Sequence, residues 1–258
     1  MSWAWANRDF LLGLIGDHLV LALVPIVVGI AIALPAGVLC ARFRWAYPPV
    51  LSATTILYAI PSLAFFMILI DYTGLTRTTV IIPLTLFSLS ILIPAVVDGL
   101  RSVPEPVRQA ATAMGFGPLR RLVTVELPVA IPVIIGGLRV ATVSSISLVS
   151  VGQLIGIGGL GYLFIDGEQR FFMTEIVVGI VLSIVLALLA DSVLVLLRRL
   201  LTPWLRGRSG TGRARDPGLR AAATGRAGER RLAGLQREKA GAGAGGGAAG
   251  AVSTEGAR

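Results

Sequence analysis

The chain has 258 residues, 55% of them hydrophobic and only 14% charged, with a mean hydropathy of +0.82. Soluble domains carry about 25% charged residues, so this composition excludes an ordinary water-exposed globule. The formal charge of +9 does not mark a nucleic-acid-binding face: residues 205–258 hold ten arginines and Lys239 against Asp216, Glu229, Glu238 and Glu255, which leaves the rest nearly balanced.

Residues 1–18 read as an extracytoplasmic, interfacial N-terminal segment, with the apolar piece 10–15 as a short helix lying in the membrane interface. His18 is the single histidine and cannot anchor a multi-histidine metal site; it reads as an interfacial residue at the mouth of the first span. A bilayer is crossed by about 20 apolar residues of helix. Five stretches meet that length: 19–41, 49–70, 79–97, 129–151 and 176–197. The first exceeds the usual signal-peptide core of about 7–15 residues and has no basic segment before it, so it reads as a span. Prolines interrupt the spans at Pro25, Pro35, Pro61, Pro83, Pro94 and Pro132, freeing backbone carbonyls that neighbouring helices or a cavity must satisfy. Cys40 is alone, which rules out a disulfide or a cysteine metal site within one chain. Residues 19–204 thus form a transmembrane domain in an all-α polytopic membrane protein of about five transmembrane helices. Residues 205–258, rich in Gly, Ala and Arg, cannot bury enough apolar surface to offset ordering entropy and read as a disordered basic tail.

Arginine placement sets the expected orientation. With five spans, the loops after the first and third share a side with the C-terminus. They carry Arg42, Arg44, Arg101, Arg108, Arg120 and Arg121, and the tail opens with Arg198 and Arg199. The other side has Arg8, Arg77 and Arg170 among six acids. The positive-inside rule therefore predicts the N-terminus outside and the C-terminus in the cytoplasm.

The long cytoplasmic loop, 99–128, is patterned. Ser102 suits an N-cap, Glu105 a first-turn acid and Pro106 the first helical position. A short helix is expected over 107–114, ended by Gly115 and Gly117, with a second from Pro118 through Glu126. Ala110, Ala111 and Ala113 would let another protein's surface approach the backbone. Gln109-Ala110-Ala111, three residues, Gly115, nine residues and then Val125-Glu126-Leu127-Pro128 resemble the EAA motif of ATP-binding-cassette importer permeases. Gln109 stands where that motif has glutamate, and Val125 where it has isoleucine.

The resemblance extends over most of residues 15–205. Tyr58-Ala59-Ile60-Pro61-Ser62 and the run from Gly136 to Gly161 look like permeases of the glycine betaine/carnitine/choline branch. It implies a type I importer-like permease in the cell membrane, with no cofactor and no enzymatic activity of its own. It also implies three protein partners: a separate ATPase subunit, an extracytoplasmic substrate-binding protein and a second permease subunit, identical or paralogous. Glu105, Gln109, Ala110, Ala111, Gly115, Leu127 and Pro128 would form the ATPase-coupling loop, and Tyr58, Pro61, Ser62 and Arg139 the translocation path or gate. The implied substrate is a quaternary amine or similar compatible solute. An ATP-driven permease for another small polar solute, such as an amino acid, and a stand-alone secondary transporter are the alternatives. The chain has no G-x-x-x-x-G-K-[ST] segment to cradle nucleotide phosphates, and the five spans show no internal repeat of the secondary-transporter kind.

Two further features invite a reading. Gly156-x-Gly158-x-x-Gly161 formally matches a dinucleotide fingerprint but follows a membrane span, so it reads as an extracytoplasmic turn. Arg139 and Asp191 are intramembrane charges about 15 Å and 9 Å from the cytoplasmic ends of their spans at helical rise. Such charges usually find partners, which predicts that they pair; the alternative is that Arg139 lines the substrate path near the inner gate. Asp71, Asp98, Asp166 and Glu175 read as interfacial acids at span ends, with no metal-ligand spacing and no nucleophile–base pair.

Overall fold

The architecture is taken from a computed structural model that describes residues 2–204. The tail read at 205–258 lies outside the described residues. The described chain is helical, without strands. In chain order the helices are α1 Ser2–Ala6, α2 Arg8–Arg42, α3 Tyr47–Ala59, α4 Ser62–Thr73, α5 Arg77–Arg101, α6 Glu105–Ala113, α7 Pro118–Arg121, α8 Leu127–Val151, α9 Tyr162–Gln169 and α10 Met173–Leu201.

Helices α2, α5, α8 and α10 are each long and apolar enough to cross a bilayer. The fifth expected crossing, 49–70, is not one straight span. It is the pair α3 and α4, bent by 91°. Pro61 disfavours helical backbone at the residue before it, and Ile60 and Pro61 both adopt extended ψ near 126°. With 13 and 12 residues, each half is roughly 20 Å long, short of a hydrocarbon core of about 30 Å.

The separate interfacial helix expected at 10–15 is absent, because α2 runs unbroken for 35 residues. Leu11 packs with Leu160, Leu163 and Leu186, and this contact holds the first turns of α2 against the bundle.

Helices α2, α5 and α8 form the tight centre. Gly29 and Gly37 of α2 sit against Ser88 and Val96 of α5, and Gly99 and Gly137 bring α5 and α8 together at Ala130 and Ala95. Small residues at such crossings let backbones approach without help from a hydrophobic driving force, which lipid does not supply. These contacts make α2 and α5 run in the same direction and α8 in the opposite one. Leu21, Ala22, Phe66, Val80, Leu84, Phe87, Ile146 and Val149 fill the centre at one end; Ile26, Ala33, Cys40, Leu92, Ile93, Val97 and Ala141 continue it to the other. The proline-disturbed stretch of α2 is braced from outside, where Ser145 Oγ donates to the Ala22 carbonyl at 2.9 Å. Helix α10 lies at the periphery, and Val181, Ile184, Val185, Leu188 and Leu189 are exposed on it. That suits hydrocarbon as solvent.

Candidate functional site

At the bundle end carrying Arg42 and Arg101, the chain leaves α5 and makes the α6–α7 excursion before entering α8. Pro104, not Ser102, takes the N-cap position of α6; the Ser102 hydroxyl donates back to the Gly99 carbonyl at 2.7 Å and closes α5 instead. The helix ends in a Schellman motif. Phe116 N–H donates to the Ala111 carbonyl at 3.1 Å and Gly115 N–H to Thr112 at 2.9 Å, with Gly115 at φ +80°, a conformation glycine adopts without steric cost.

The second helix expected from Pro118 through Glu126 is a single α-turn followed by a π-turn over Leu122–Glu126. Pro128 has no N–H to give the helical ladder, and just before it the Leu127 N–H reaches the Leu122 carbonyl. Leu127 and Pro128 are therefore the first residues of α8 rather than part of a loop.

A polar network ties the excursion to the bundle. Arg121 Nε donates to Glu126 at 2.8 Å, and an Arg121 terminal nitrogen donates to the Thr112 hydroxyl at 2.9 Å. Arg108 donates to the Leu100 carbonyl at 2.5 Å and lies 4.0 Å from Glu126, whose side chain is only 12% exposed. Ala111 is buried on the inner face of α6, whereas Glu105, Gln109, Ala110 and Gly115 are exposed. Val107, Met114, Leu119 and Val123 add exposed apolar surface around them. The arrangement is a short amphipathic helix presented at one end of the bundle and anchored to both α5 and α8. The motif spacing marked Gln109 and Gly115. Arg108, Arg121, Thr112 and Glu126 carry the anchoring and were not singled out for it, because their roles depend on where the turns after Gly115 send the chain.

The other site residues fall in two places. Arg139 Nε and a terminal nitrogen donate to the two Asp191 carboxylate oxygens at 2.6 and 2.7 Å, a bidentate pair joining α8 to α10. Tyr58, Pro61 and Ser62 lie at the α3–α4 bend. The Tyr58 ring is half exposed, and its edge-to-face partner is Phe87, which also meets Phe65. The small cleft beside Tyr58 is lined by Phe87, Ser88, Ser144 and Ser145. Arg139 is not part of that lining; it and the bend residues are not brought together.

At the opposite end, His18 is wholly buried rather than interfacial. Its Nδ1 accepts from the Leu160 N–H at 3.2 Å and its Nε2 faces the Ile146 carbonyl at 3.0 Å, which requires the proton on Nε2. Gly159 lies directly over it, where any Cβ would come within 2.8 Å of His18. The Gly156–Gly161 run is thus a turn that leaves one short 3₁₀ segment, Gly152–Ile155, and ends in a second, Gly159–Gly161, folded onto α2. Glu175 is also buried rather than interfacial, and one of its oxygens accepts from Arg170 at 3.2 Å. Asp166 pairs with the same arginine.

The chain is 34% identical over 202 residues to the osmoprotectant import permease protein OsmW of Salmonella typhimurium, covering 76% of this chain and 94% of that one. It is 32% identical to the choline transport system permease protein OpuBD of Bacillus subtilis, covering 81% and 93%. A glycine betaine/carnitine/choline permease protein of the same organism, OpuCD, is also 32% identical, covering 76% and 86%. Among solved structures, a chain of the MetNI methionine ABC transporter, captured in inward-facing conformations, superposes with a TM-score of 0.64 at 24% identity, covering 74% of this chain and 94% of that one. That likeness establishes the fold. Residues 33–207 match the binding-protein-dependent transport system inner membrane components, and the chain belongs to that family.

Proposed function

We propose that this chain is the membrane-spanning permease subunit of an ATP-driven importer, translocating a compatible solute of the quaternary-ammonium class such as glycine betaine, choline or carnitine. The substrate class rests on the relatives, whose names specify osmoprotectants, choline, carnitine and glycine betaine. The N-terminus lies outside and the C-terminus in the cytoplasm, where α6 seats in a separate ATPase subunit. A binding protein delivers the solute at the other face, and a second permease completes the path.

The observation that carries this reading is the anchored excursion over 102–126. Closure of two ATPase subunits pushes on α6 at Gln109 and Ala110 and on the turn after it at Gly115. Because Arg108 holds the Leu100 carbonyl and Glu126 holds Arg121, the push passes to the end of α5 and the start of α8 together. Those two helices pack against each other at Gly99 and Gly137, so they move as one body against the bent α3–α4 pair. Such a switch needs different contacts with the two states of the partner.

The test is ATPase activity of the complex reconstituted with its ATPase and binding protein, read against glycine betaine, choline, carnitine, proline betaine and a set of amino acids. Stimulation by the quaternary amines is expected. Stimulation by an amino acid alone would replace the substrate class, and uptake driven by an ion gradient without any ATPase would overturn the reading as a whole.

A further inference from the structure

A cavity of about 510 Å³ lies between the end of α2, the end of α5 and the α6–α7 excursion. Three arginines from three separate segments line it: Arg42 of α2, Arg108 of α6 and Arg121 of α7. Glu126 is the one carboxylate in the lining, so the walls carry a surplus of positive charge. A basic residue in the last turn of α2 would by itself be explained by the helix dipole. Three converging on one cavity, against Glu126 in the lining and Glu105 at 3.9 Å from Arg108 outside it, are not. Arg108 adds a sharper sign: its Nε is buried without a hydrogen-bond partner, and at 4.0 Å from Glu126 it is beyond hydrogen-bond reach. A buried guanidinium N–H is costly to leave unpaired.

The remaining wall is apolar, formed by Val38, Ala41, Leu100, Leu119 and Leu122. Val38 and Ala41 belong to the last turns of a membrane-spanning helix. The cavity therefore sits where hydrocarbon gives way to headgroups, with arginines beside greasy side chains.

We propose that this cavity binds a phosphate-bearing anion, with the headgroup of an anionic phospholipid as its source. Arg42, Arg108 and Arg121 supply the donors that phosphate oxygens take, and the buried Arg108 Nε gains its missing acceptor. The apolar wall receives the glycerol and the first methylenes. Basic pockets between transmembrane helices near a membrane surface hold anionic headgroups by this combination. Inorganic phosphate has the same oxygens but nothing to place on Val38, Ala41 and Leu122. The proposal does not depend on which solute is carried. A lipid seated there would also contact both anchors of the excursion, Arg108 and Arg121.

The experiment uses the purified full-length chain in detergent, titrated with phosphatidylglycerol, phosphatidylcholine or inorganic phosphate, with retained lipid counted by native mass spectrometry and affinity read by thermal shift. Arg42→Gln removes one wall of the site. Arg44→Gln, two residues away and exposed outside the lining, removes the same charge elsewhere. Phosphatidylglycerol should bind saturably and phosphatidylcholine poorly, and Arg42→Gln should weaken binding by about five-fold, the loss expected for one arginine near an anionic headgroup. Arg44→Gln should not weaken it. Saturable binding of inorganic phosphate that Arg42→Gln also weakens would uphold the anion site and assign it to a free phosphate. Equal binding of the two lipids, or equal losses in the two variants, would overturn it.

Discussion

Three residues in the described structure carry constraints that a substitution can isolate. Gly115 holds φ +80°, and the space where its side chain would project is open. Gly115→Ala therefore costs only backbone strain, about 1–2 kcal/mol, seen as a small drop in melting temperature. Asp tolerates that backbone better than most residues, and its Cβ meets no neighbour within 4 Å. If Gly115→Asp abolishes solute-stimulated ATPase activity while the permease keeps its melting temperature, the damage lies at the docking surface and not in the fold. Arg139 and Asp191 make the complementary case. Their bidentate pair links α8 to the peripheral α10, and in apolar surroundings each charge depends on the other. Asp191→Asn should lower both melting temperature and assembled yield. The charge swap, Arg139→Asp with Asp191→Arg, should recover most of the loss, and a swap no better than the single change would refute a pairwise role.

Elements in this bundle are positioned by what their small residues permit. Gly37 lets α2 lie against Val96 so closely that a Cβ would fall 2.5 Å from its methyl. Gly37→Val overpacks that crossing and should destabilise by about 1–3 kcal/mol. Gly136, one residue before the α5–α8 contact at Gly137, meets nothing. Gly136→Ala should be neutral or slightly stabilising, since glycine in a helix interior costs about 0.5–1 kcal/mol relative to alanine. Thermal melts of the two variants in one detergent check the pair. The hydropathy of α2, α5, α8 and α10 was readable along the chain because apolar length is a local property. The bend of α3 against α4 was half readable: Pro61 marks a weak point, but its 91° turn depends on how Phe66 enters the core and how Tyr58 and Phe65 meet Phe87.

For the whole molecule, the contacts give α2 and α5 one direction and α8 the other, and the α3–α4 pair returns the chain between α2 and α5. The two ends of the bundle differ in charge as the positive-inside rule expects. The orientation proposed from this asymmetry is tested with single cysteines in a Cys40→Ser background. Thr78→Cys should react with an impermeant thiol reagent in intact cells, and Thr112→Cys only after permeabilisation; the reverse pattern would invert the topology. The sequence by itself determined the membrane class, the number of apolar stretches and the spacing from Gln109 to Pro128, because hydropathy, arginine placement and turn residues are properties of neighbours along the chain. Only the tertiary structure decided that His18 is buried beneath Gly159, that Glu126 closes on Arg108 of α6, and that Arg42, Arg108 and Arg121 share a cavity. Each of those facts joins residues from separate helices, and no local pattern encodes which side chains packing will bring face to face. The 102–126 excursion shows both halves: its motif is written in the sequence, and its rigid attachment to α5 and α8 is a product of the fold.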